Sequence, residues 1–353
     1  MDAKAKEFLV TLVETPGVSG DEQRVQEVVR NYAREFVDEM KTDLHGNLIL
    51  AKNPDAAVRV MLAGHADQIG LIVSSIDEDG YIYTQTVGGW DPQQLIGQRM
   101  TVWTQSGPVA GVIARKAIHL LDESERKQVV KTKDLWIDIG ARDREEAEAL
   151  VEIGDSVTLE LRYQDLLNGL ANSPAMDNRT GVWVVVEAMR RAAEMDLSCG
   201  LFAVSTVQEE IGLRGAKTAA FDVDPHVGIA VDVTHATDCP TIDTRQLGKI
   251  KLGGGPVVVR GPNVNPIVAQ RLKSLSDDHQ LPVQTAALGR AAPNDSNALQ
   301  VTRGGVATGI LAVPNRYMHS AVETISLSDI DAAASLLAHF AASVSTSAEF
   351  KPS

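Results

Sequence analysis

Cysteine is almost absent from this sequence, since the 353 residues contain only Cys199 and Cys239. Two thiols cannot form a disulfide framework in a chain of this length, and neither belongs to a Cys-x-x-Cys pair, which excludes a sulfur-rich zinc site. Long apolar runs are also missing, and no stretch approaches the length of a membrane span. Near the N-terminus, Phe8 and Leu12 have helical spacing that is not typical of a signal peptide. These features predict a cytoplasmic protein.

Basic residues are also fewer than acidic residues in this sequence. Lys and Arg number 33 against 47 Asp and Glu, which gives a formal net charge of −14. Nucleic acid phosphates and anionic lipid surfaces repel a chain with this excess of negative charge. We therefore expect neither nucleic acid nor membrane partners. Aromatic residues make up 4% of the sequence, so the core is expected to consist of Val, Leu, Ile and Ala.

The length fits two domains, and the hydrophobic pattern changes in the middle of the chain. Between residues 68 and 163, short apolar runs alternate with turn residues, which is typical of an all-β module. Its strands are predicted at 71–73, 81–83, 100–103, 109–114, 135–137 and 157–161, with a single helix around 143–151. Residues 1–67 and 164–353 alternate helical and buried-strand patterns. The sequence therefore predicts an α/β domain with an inserted small β domain.

Capping and turn residues predict where the first helices begin and end. The first helix is expected to end at Thr15-Pro16-Gly17. The second is expected to begin at Ser19, which has capping-box spacing to Glu22, and to extend as far as Phe36. Further helices are predicted at 180–191, 266–276 and 327–344, and strands at 48–51, 58–63, 201–207, 227–231 and 308–313. Strands that are apolar throughout suit a sheet covered by helices on both faces.

Residues with metal-binding side chains occur at five places in the α/β domain. They are His65, Asp177, Glu209 with Glu210, Asp232 and His319. Three of these places follow a predicted strand directly, and His319 lies slightly beyond another. Open α/β sheets bind their ligands at the carboxyl ends of the strands. Imidazoles, carboxylates and one unligated carboxylate that moves protons are the groups of a hydrolytic two-metal site. We therefore expect these side chains to converge.

The paired acids and the first histidine suggest separate roles for neighbouring residues. Adjacent side chains on extended backbone point apart, so one of Glu209 and Glu210 can face a metal while the other faces substrate. Asp67 lies two residues after His65 and points to the same side. It is expected to accept the other N–H of that imidazole and to fix its tautomer. An ordinary turn residue is the alternative for Asp67.

Five motifs follow one another along the chain. They are Gly64-His-Ala-Asp-Gln-Ile-Gly70, Met176-Asp-Asn-Arg-Thr-Gly181, Val207-Gln-Glu-Glu-Ile-Gly-Leu-Arg-Gly-Ala216, Val231-Asp-Val-Thr-His-Ala236 and Val313-Pro-Asn-Arg-Tyr-Met-His-Ser320. Together they resemble the tetrahedral aminopeptidases, a family that includes glutamyl, leucyl and lysyl aminopeptidases and whose members have often been labelled endoglucanases. In the insert, Gly88-Gly-Trp-Asp-Pro92, Gly97-Gln-Arg99 and Asp134-Leu-Trp-Ile-Asp-Ile-Gly140 resemble the dimerisation module of that family.

This resemblance implies a zinc-exopeptidase-like fold, with a mixed sheet, and a role for each residue. His65 and Asp232 would complete the shell of one metal, Glu210 and His319 would complete that of the other, and Asp177 would bridge the two. Glu209 would be the general base and Asp67 the partner of His65. Asn178 replaces an Asp of many relatives, and Pro293-Asn-Asp-Ser296 departs from the usual Gly-Thr-Asp-Ala, which concerns a loop that faces the substrate.

The implied activity is removal of the N-terminal residue from short peptides. Two divalent ions, zinc or cobalt, would activate a water molecule from which Glu209 takes the proton. The insert implies self-association into a dimer-based dodecamer. Two alternatives remain at this point: a glycoside hydrolase, which needs two carboxylates and no metal, and a non-catalytic scaffold.

Overall fold

The structure is a computed structural model that describes residues 1–351. The helices in this range are α1 (Ala3–Glu14), α2 (Gln23–Ala33), α3 (Glu123–Arg126), α4 (Arg144–Glu148), α5 (Met176–Ala192), α6 (Arg214–Val223), α7 (Thr244–Leu247), α8 (Pro266–Asp278), α9 (Asp295–Gln300) and α10 (Leu327–Ala342). Short 3-10 segments occur at Pro92–Gln94, Ile118–Leu120, Thr132–Asp134 and Leu167–Gly169. Within residues 1–351, every helix is too short or too polar to cross a bilayer.

The strands are β1 (Glu39–Thr42), β2 (Leu48–Lys52), β3 (Arg59–His65), β4 (Gly70–Ile76), β5 (Ile82–Val87), β6 (Arg99–Thr104), β7 (Gly107–Ala114), β8 (Trp136–Asp138), β9 (Ser156–Leu159), β10 (Gln164–Asp165), β11 (Leu170–Asn172), β12 (Gly200–Thr206), β13 (Val227–His235), β14 (Val257–Arg260), β15 (Gln284–Ala287), β16 (Ala307–Asn315) and β17 (Thr324–Ser326). An eight-stranded sheet has the order β1-β2-β12-β3-β13-β16-β14-β15. A small sheet joins β10, β11 and β17.

Four central strands of the large sheet, β12, β3, β13 and β16, run parallel to one another. Their carboxyl ends therefore lie at one edge of the sheet. The outer pairs β1–β2, β2–β12 and β14–β16 are antiparallel, so the sheet is mixed, as predicted.

Helices cover both faces of this sheet. Along β3, Val60 and Leu62 belong to the large core beneath α1, α2, α5, α8 and α10, whereas Met61 and Ala63 contact the core formed with α6 and α9. Successive strand residues point to opposite faces, so a strand that is apolar at every position requires cover on both.

The inserted segment forms a closed barrel with the order β4-β5-β8-β7-β6-β9 and a hydrophobic core of its own. Its strands begin at Gly70 and end at Leu159, inside the segment 68–163. The predicted α/β class with a small β-barrel-like unit is therefore confirmed. The domain boundaries at 67/68 and 163/164 stay predictions.

Two helix predictions in the chain are wrong. The second helix begins at Gln23, because the Ser19 hydroxyl donates to Asp67 and does not cap the helix. This helix ends at Ala33, so Phe36 lies beyond it. The insert also contains the short helix α3 in addition to α4.

Gly64 allows α5 to approach β3 closely. A Cβ atom at this position would lie 2.5 Å from the backbone carbon of Gly181 and 2.7 Å from its oxygen. Backbone atoms cannot rotate out of the way as a side chain can, so the contact fixes the distance between the strand and the helix.

We predict that Gly64→Ala lowers the free energy of unfolding by about 1–3 kcal/mol, because it overpacks this contact. Thermal unfolding measures the effect. Gly304→Ala is the matched control, since a Cβ there meets no atom within 4 Å. Equal melting temperatures for the two variants would show that the contact tolerates a methyl group.

Candidate metal centre and active site

The predicted site residues lie along the carboxyl edge of the four parallel strands. His65 is the last residue of β3, and Glu209 and Glu210 follow shortly after the end of β12. His319 lies in the segment between β16 and β17. The strand before Asp232 is longer than the predicted 227–231. Asp232 therefore lies within β13, which continues to His235 and pairs with β16 along that length.

Asp177 reaches the same edge from the first turn of α5. Its backbone is not helical, with φ −82° and ψ 106°. The neighbouring Asn178 has different partners: its amide group donates to the Val231 carbonyl at 2.8 Å, and its side-chain oxygen accepts from the Gly181 N–H at 2.9 Å. Asn178 therefore holds α5 against β13, and both ends of its side-chain amide are hydrogen-bonded to backbone.

The two oxygens of Asp177 face different imidazoles. Oδ1 lies 3.2 Å from Nε2 of His65, and Oδ2 lies 3.3 Å from Nε2 of His319. Asp232 Oδ1 is 3.6 Å from Nε2 of His65, and Glu210 Oε1 is 3.4 Å from Nε2 of His319. The cluster therefore has two halves that share one carboxylate.

Backbone carbonyls hold both imidazoles in the same tautomer. Nδ1 of His65 lies 3.1 Å from the Asp67 carbonyl oxygen, and Nδ1 of His319 lies 2.8 Å from that of Gly89. A carbonyl accepts hydrogen bonds and cannot donate them, so each Nδ1 carries the proton. Each Nε2 therefore faces the carboxylates, where it donates a hydrogen bond when the ring is protonated and can bind a cation when the ring is neutral.

The Asp67 carboxylate binds the turn that carries the paired glutamates. Its Oδ1 accepts from the Glu209 N–H at 2.9 Å, and its Oδ2 accepts from the Glu210 N–H at 3.1 Å and the Ser19 hydroxyl at 2.6 Å. The distance from Oδ1 to Nδ1 of His65 is 3.5 Å, longer than that from the Asp67 carbonyl. Asp67 thus orients two chain segments at once.

Glu209 is buried and lies beside His65, with 3.8 Å between Oε2 and Nε2. Burial raises the pKa of Glu209 to about 10, opposed by His65 and reinforced by the carboxylates of Asp232, Asp295 and Glu210. The pKa of His319 is raised to about 11 by its hydrogen bonds to Asp177 and Glu210. The cluster therefore holds more negative charge than its own imidazoles balance.

The chemistry of these donors fits divalent cations. Two groups of donor atoms each lie within 4.8 Å of one another: His65 with Asp177 and Glu210, and His65 with Glu209 and Asp232. Imidazole nitrogen and carboxylate oxygen are the ligands of zinc and related ions in hydrolytic sites. Cations would balance the carboxylates and would take the place of the Nε2 protons.

Two buried acids near the cluster were missed at the sequence level. Asp295 accepts from the Thr206 hydroxyl at 2.6 Å, and its other oxygen has no partner among the described residues. Glu323 accepts from the N–H groups of both Asp177 and His319. Asp295 lies in the noted segment Pro293–Ser296, but Glu323 lies three residues beyond the last motif, where no sequence signal pointed to the site.

The cluster opens into a cavity of about 510 Å³. Beyond the cluster its walls are mostly apolar and are formed by Val233, Leu247, Val259, Leu288, Ile310, Ala312, Met318 and others. Arg290 is the one Lys or Arg among the described lining residues, and no Asp or Glu outside the cluster lines the cavity in residues 1–351. The cavity has room for a side chain next to the acids and imidazoles.

Comparisons with known proteins agree with this fold. A family model described as M42 glutamyl aminopeptidase matches residues 46–336. The lysyl aminopeptidase of Pyrococcus furiosus is 37% identical over 330 residues, which cover 92% of this chain and 93% of that protein.

Solved structures agree over nearly the whole chain. A TET aminopeptidase from a marine sediment Thaumarchaeota archaeon superimposes with a TM-score of 0.93 at 34% identity, covering 97% of each chain. The Pyrococcus horikoshii TET1 peptidase, described as able to assemble into a tetrahedron or a large octahedral shell, gives a TM-score of 0.86 at 30% identity over 96% of this chain and 100% of its own. The chain therefore belongs to the M42 glutamyl aminopeptidase family and is a peptide hydrolase.

Proposed function

We propose that this chain is a two-metal aminopeptidase that removes the N-terminal residue of short peptides. The observation that supports it best is the division of the cluster, in which each oxygen of Asp177 faces one imidazole at 3.2–3.3 Å. In this proposal His65 and Asp232 would hold one ion, His319 and Glu210 would hold the other, and Asp177 would contribute to both. We assign Glu209 to proton transfer, not to ligation.

When bound, divalent ions such as zinc or cobalt supply positive charge that polarises a carbonyl and lowers the pKa of water. Glu209 accepts the proton of the attacking water and then delivers it to the leaving amine. The position of Glu209 supports this role, because its buried carboxylate lies at the cluster but 3.8 Å from Nε2 of His65, farther than the carboxylates of Asp177 and Asp232. Asp67 holds the backbone of Glu209 and thereby fixes the position of its side chain.

Glu209→Gln should reduce kcat by at least about 10²-fold, because the amide cannot accept the proton. The variant should still bind two divalent ions per chain, as measured by elemental analysis of the loaded enzyme. Glu194→Gln on the exposed surface is the matched control and should retain full turnover. Near-normal activity of Glu209→Gln would refute the assignment of the base.

The cavity walls support a preference for aliphatic N-terminal residues. Leu247 and Leu288 are exposed apolar side chains that line it, and such walls favour an apolar side chain. No carboxylate outside the cluster, among the described residues, would pair with a substrate lysine. Arg290 can pair with an acidic N-terminal residue of the substrate. Substrates with an acidic N-terminal residue should therefore have kcat/KM values between those of aliphatic and lysyl substrates.

A panel of aminoacyl chromogenic substrates tests this order. We expect kcat/KM for leucyl and methionyl substrates to exceed that for the lysyl substrate at least about tenfold, with the glutamyl substrate between them. Leu288→Glu should raise the relative rate for the lysyl substrate by placing a carboxylate in the wall. A wild-type preference for lysine would contradict the proposal.

We further propose that the barrel mediates self-association in the cytoplasm. The similar Pyrococcus horikoshii peptidase assembles into closed shells, and the barrel has its own core, as an assembly module requires. Exposed apolar side chains on the barrel at Ile118, Leu120 and Val129 support an interface there.

Light scattering measures this assembly directly. We expect a particle of about twelve chains, since twelve subunits in six dimers close a tetrahedron. Replacing both Ile118 and Leu120 by Asp should yield smaller particles with intact folding by circular dichroism. A monomeric wild-type chain would rule out the proposed assembly.

Family membership leaves the glycoside hydrolase and scaffold alternatives without support. A sugar-cleaving site would use two carboxylates without metal, whereas here both imidazoles point Nε2 at the acids.

A further inference from the structure

Glu323 is a buried acid with both carboxylate oxygens engaged by backbone. It lies directly before β17 and is 2% exposed. Oε2 accepts from the Asp177 N–H at 2.7 Å, and Oε1 accepts from the His319 N–H at 2.8 Å. One carboxylate thus joins the backbones of two residues that belong to different segments and to the same half of the cluster.

The two N–H groups belong to residues whose backbone dihedral angles are not those of a regular right-handed helix. Asp177 has non-helical dihedral angles in the first turn of α5, and His319 has φ 59°, in the left-handed region. A buried N–H without a partner is unfavourable, and a left-handed residue other than glycine requires support from its surroundings. Glu323 supplies the hydrogen-bond acceptor that each of these positions needs.

The backbone of Glu323 is fixed as well. Its carbonyl oxygen accepts from the Ser173 N–H at 3.1 Å and from the Asn172 side chain at 3.1 Å. These contacts connect it to β11, which pairs with β17. The carboxylate therefore projects from a fixed point toward the two ligand backbones.

No Lys or Arg among residues 1–351 forms an ion pair with Glu323. A buried carboxylate without a cationic partner is unfavourable for folding alone. A neutral residue would suit this position better if its only task were to pack β17 against the strand beside it.

We propose that Glu323 is a positioning residue of the metal centre. By holding the backbones of Asp177 and His319, it keeps Asp177 Oδ2 and His319 Nε2 at the 3.3 Å separation at which both can face one cation. It acts through these two residues and touches neither the metal nor the substrate. The inference rests on the proposed two-metal function.

Glu323→Gln tests the role with little change in volume. Gln has one acceptor oxygen, and its NH₂ group cannot accept, so one of the two backbone N–H groups loses its partner. Glu187→Gln is the matched control: Glu187 is equally buried, lies on α5, and binds Tyr32, Arg190 and Arg191, away from the cluster.

The measurement is a calorimetric titration of metal-free protein with cobalt(II) chloride, together with the visible absorption of the bound cobalt. We expect Glu323→Gln to bind at least one of the two ions about 10- to 100-fold more weakly and to change the cobalt spectrum. Glu187→Gln should lower the melting temperature but leave the cobalt affinity and the spectrum as in wild type.

Wild-type cobalt affinities and spectrum in Glu323→Gln would overturn the role of Glu323. Failure of the wild-type chain to bind two ions would instead overturn the proposed function. If Glu323→Gln does not fold, Glu323→Asp replaces it under the same criterion, because its shorter side chain keeps the charge but cannot reach both N–H groups.

Discussion

Negative charge concentrated in a buried place is the constraint around which this structure is organised. Asp177, Glu209, Glu210 and Asp232 lie around two imidazoles at one edge of the sheet, and three of these acids, Asp177, Glu209 and Asp232, are buried. Carboxylates in such surroundings repel one another and lose hydration, which folding alone does not compensate. The arrangement is consistent with a protein that completes its charge balance with cations.

The same constraint explains why the polar side chains around the cluster form hydrogen bonds with backbone groups. Asp67 binds the turn of the paired glutamates, and backbone carbonyls orient both histidines. Gly64 brings the helix that carries Asp177 close to the strand that carries His65. The positions of the clustered acids and imidazoles are therefore set by the sheet and by hydrogen bonds to backbone, and not by the flexible side chains alone.

The sequence predicted those elements that are marked by a local residue pattern, such as a run of apolar residues. Continuous apolar strands such as β12 and β16 indicated a sheet with helices on both faces, and the positions of acids and histidines after strands indicated the edge where they gather. Ser19 was misassigned because its hydroxyl has a distant partner, Asp67, which competes with helix capping. Glu323 was missed for a similar reason, since its function depends on contacts with residues far away in sequence. The roles of the individual ligands and of the base stay predictions.

The hydrogen bond between His319 and Gly89 crosses from one unit of the chain to the other. Gly89 lies in the loop between β5 and β6 of the barrel, and a Cβ at the adjacent Gly88 would lie 3.3 Å from a Glu210 carboxylate oxygen. The insert thus contributes a hydrogen-bond acceptor to one histidine of the cluster and lies close to one of its acids. A shortened chain built by excising the barrel would leave the His319 imidazole without the carbonyl that orients it.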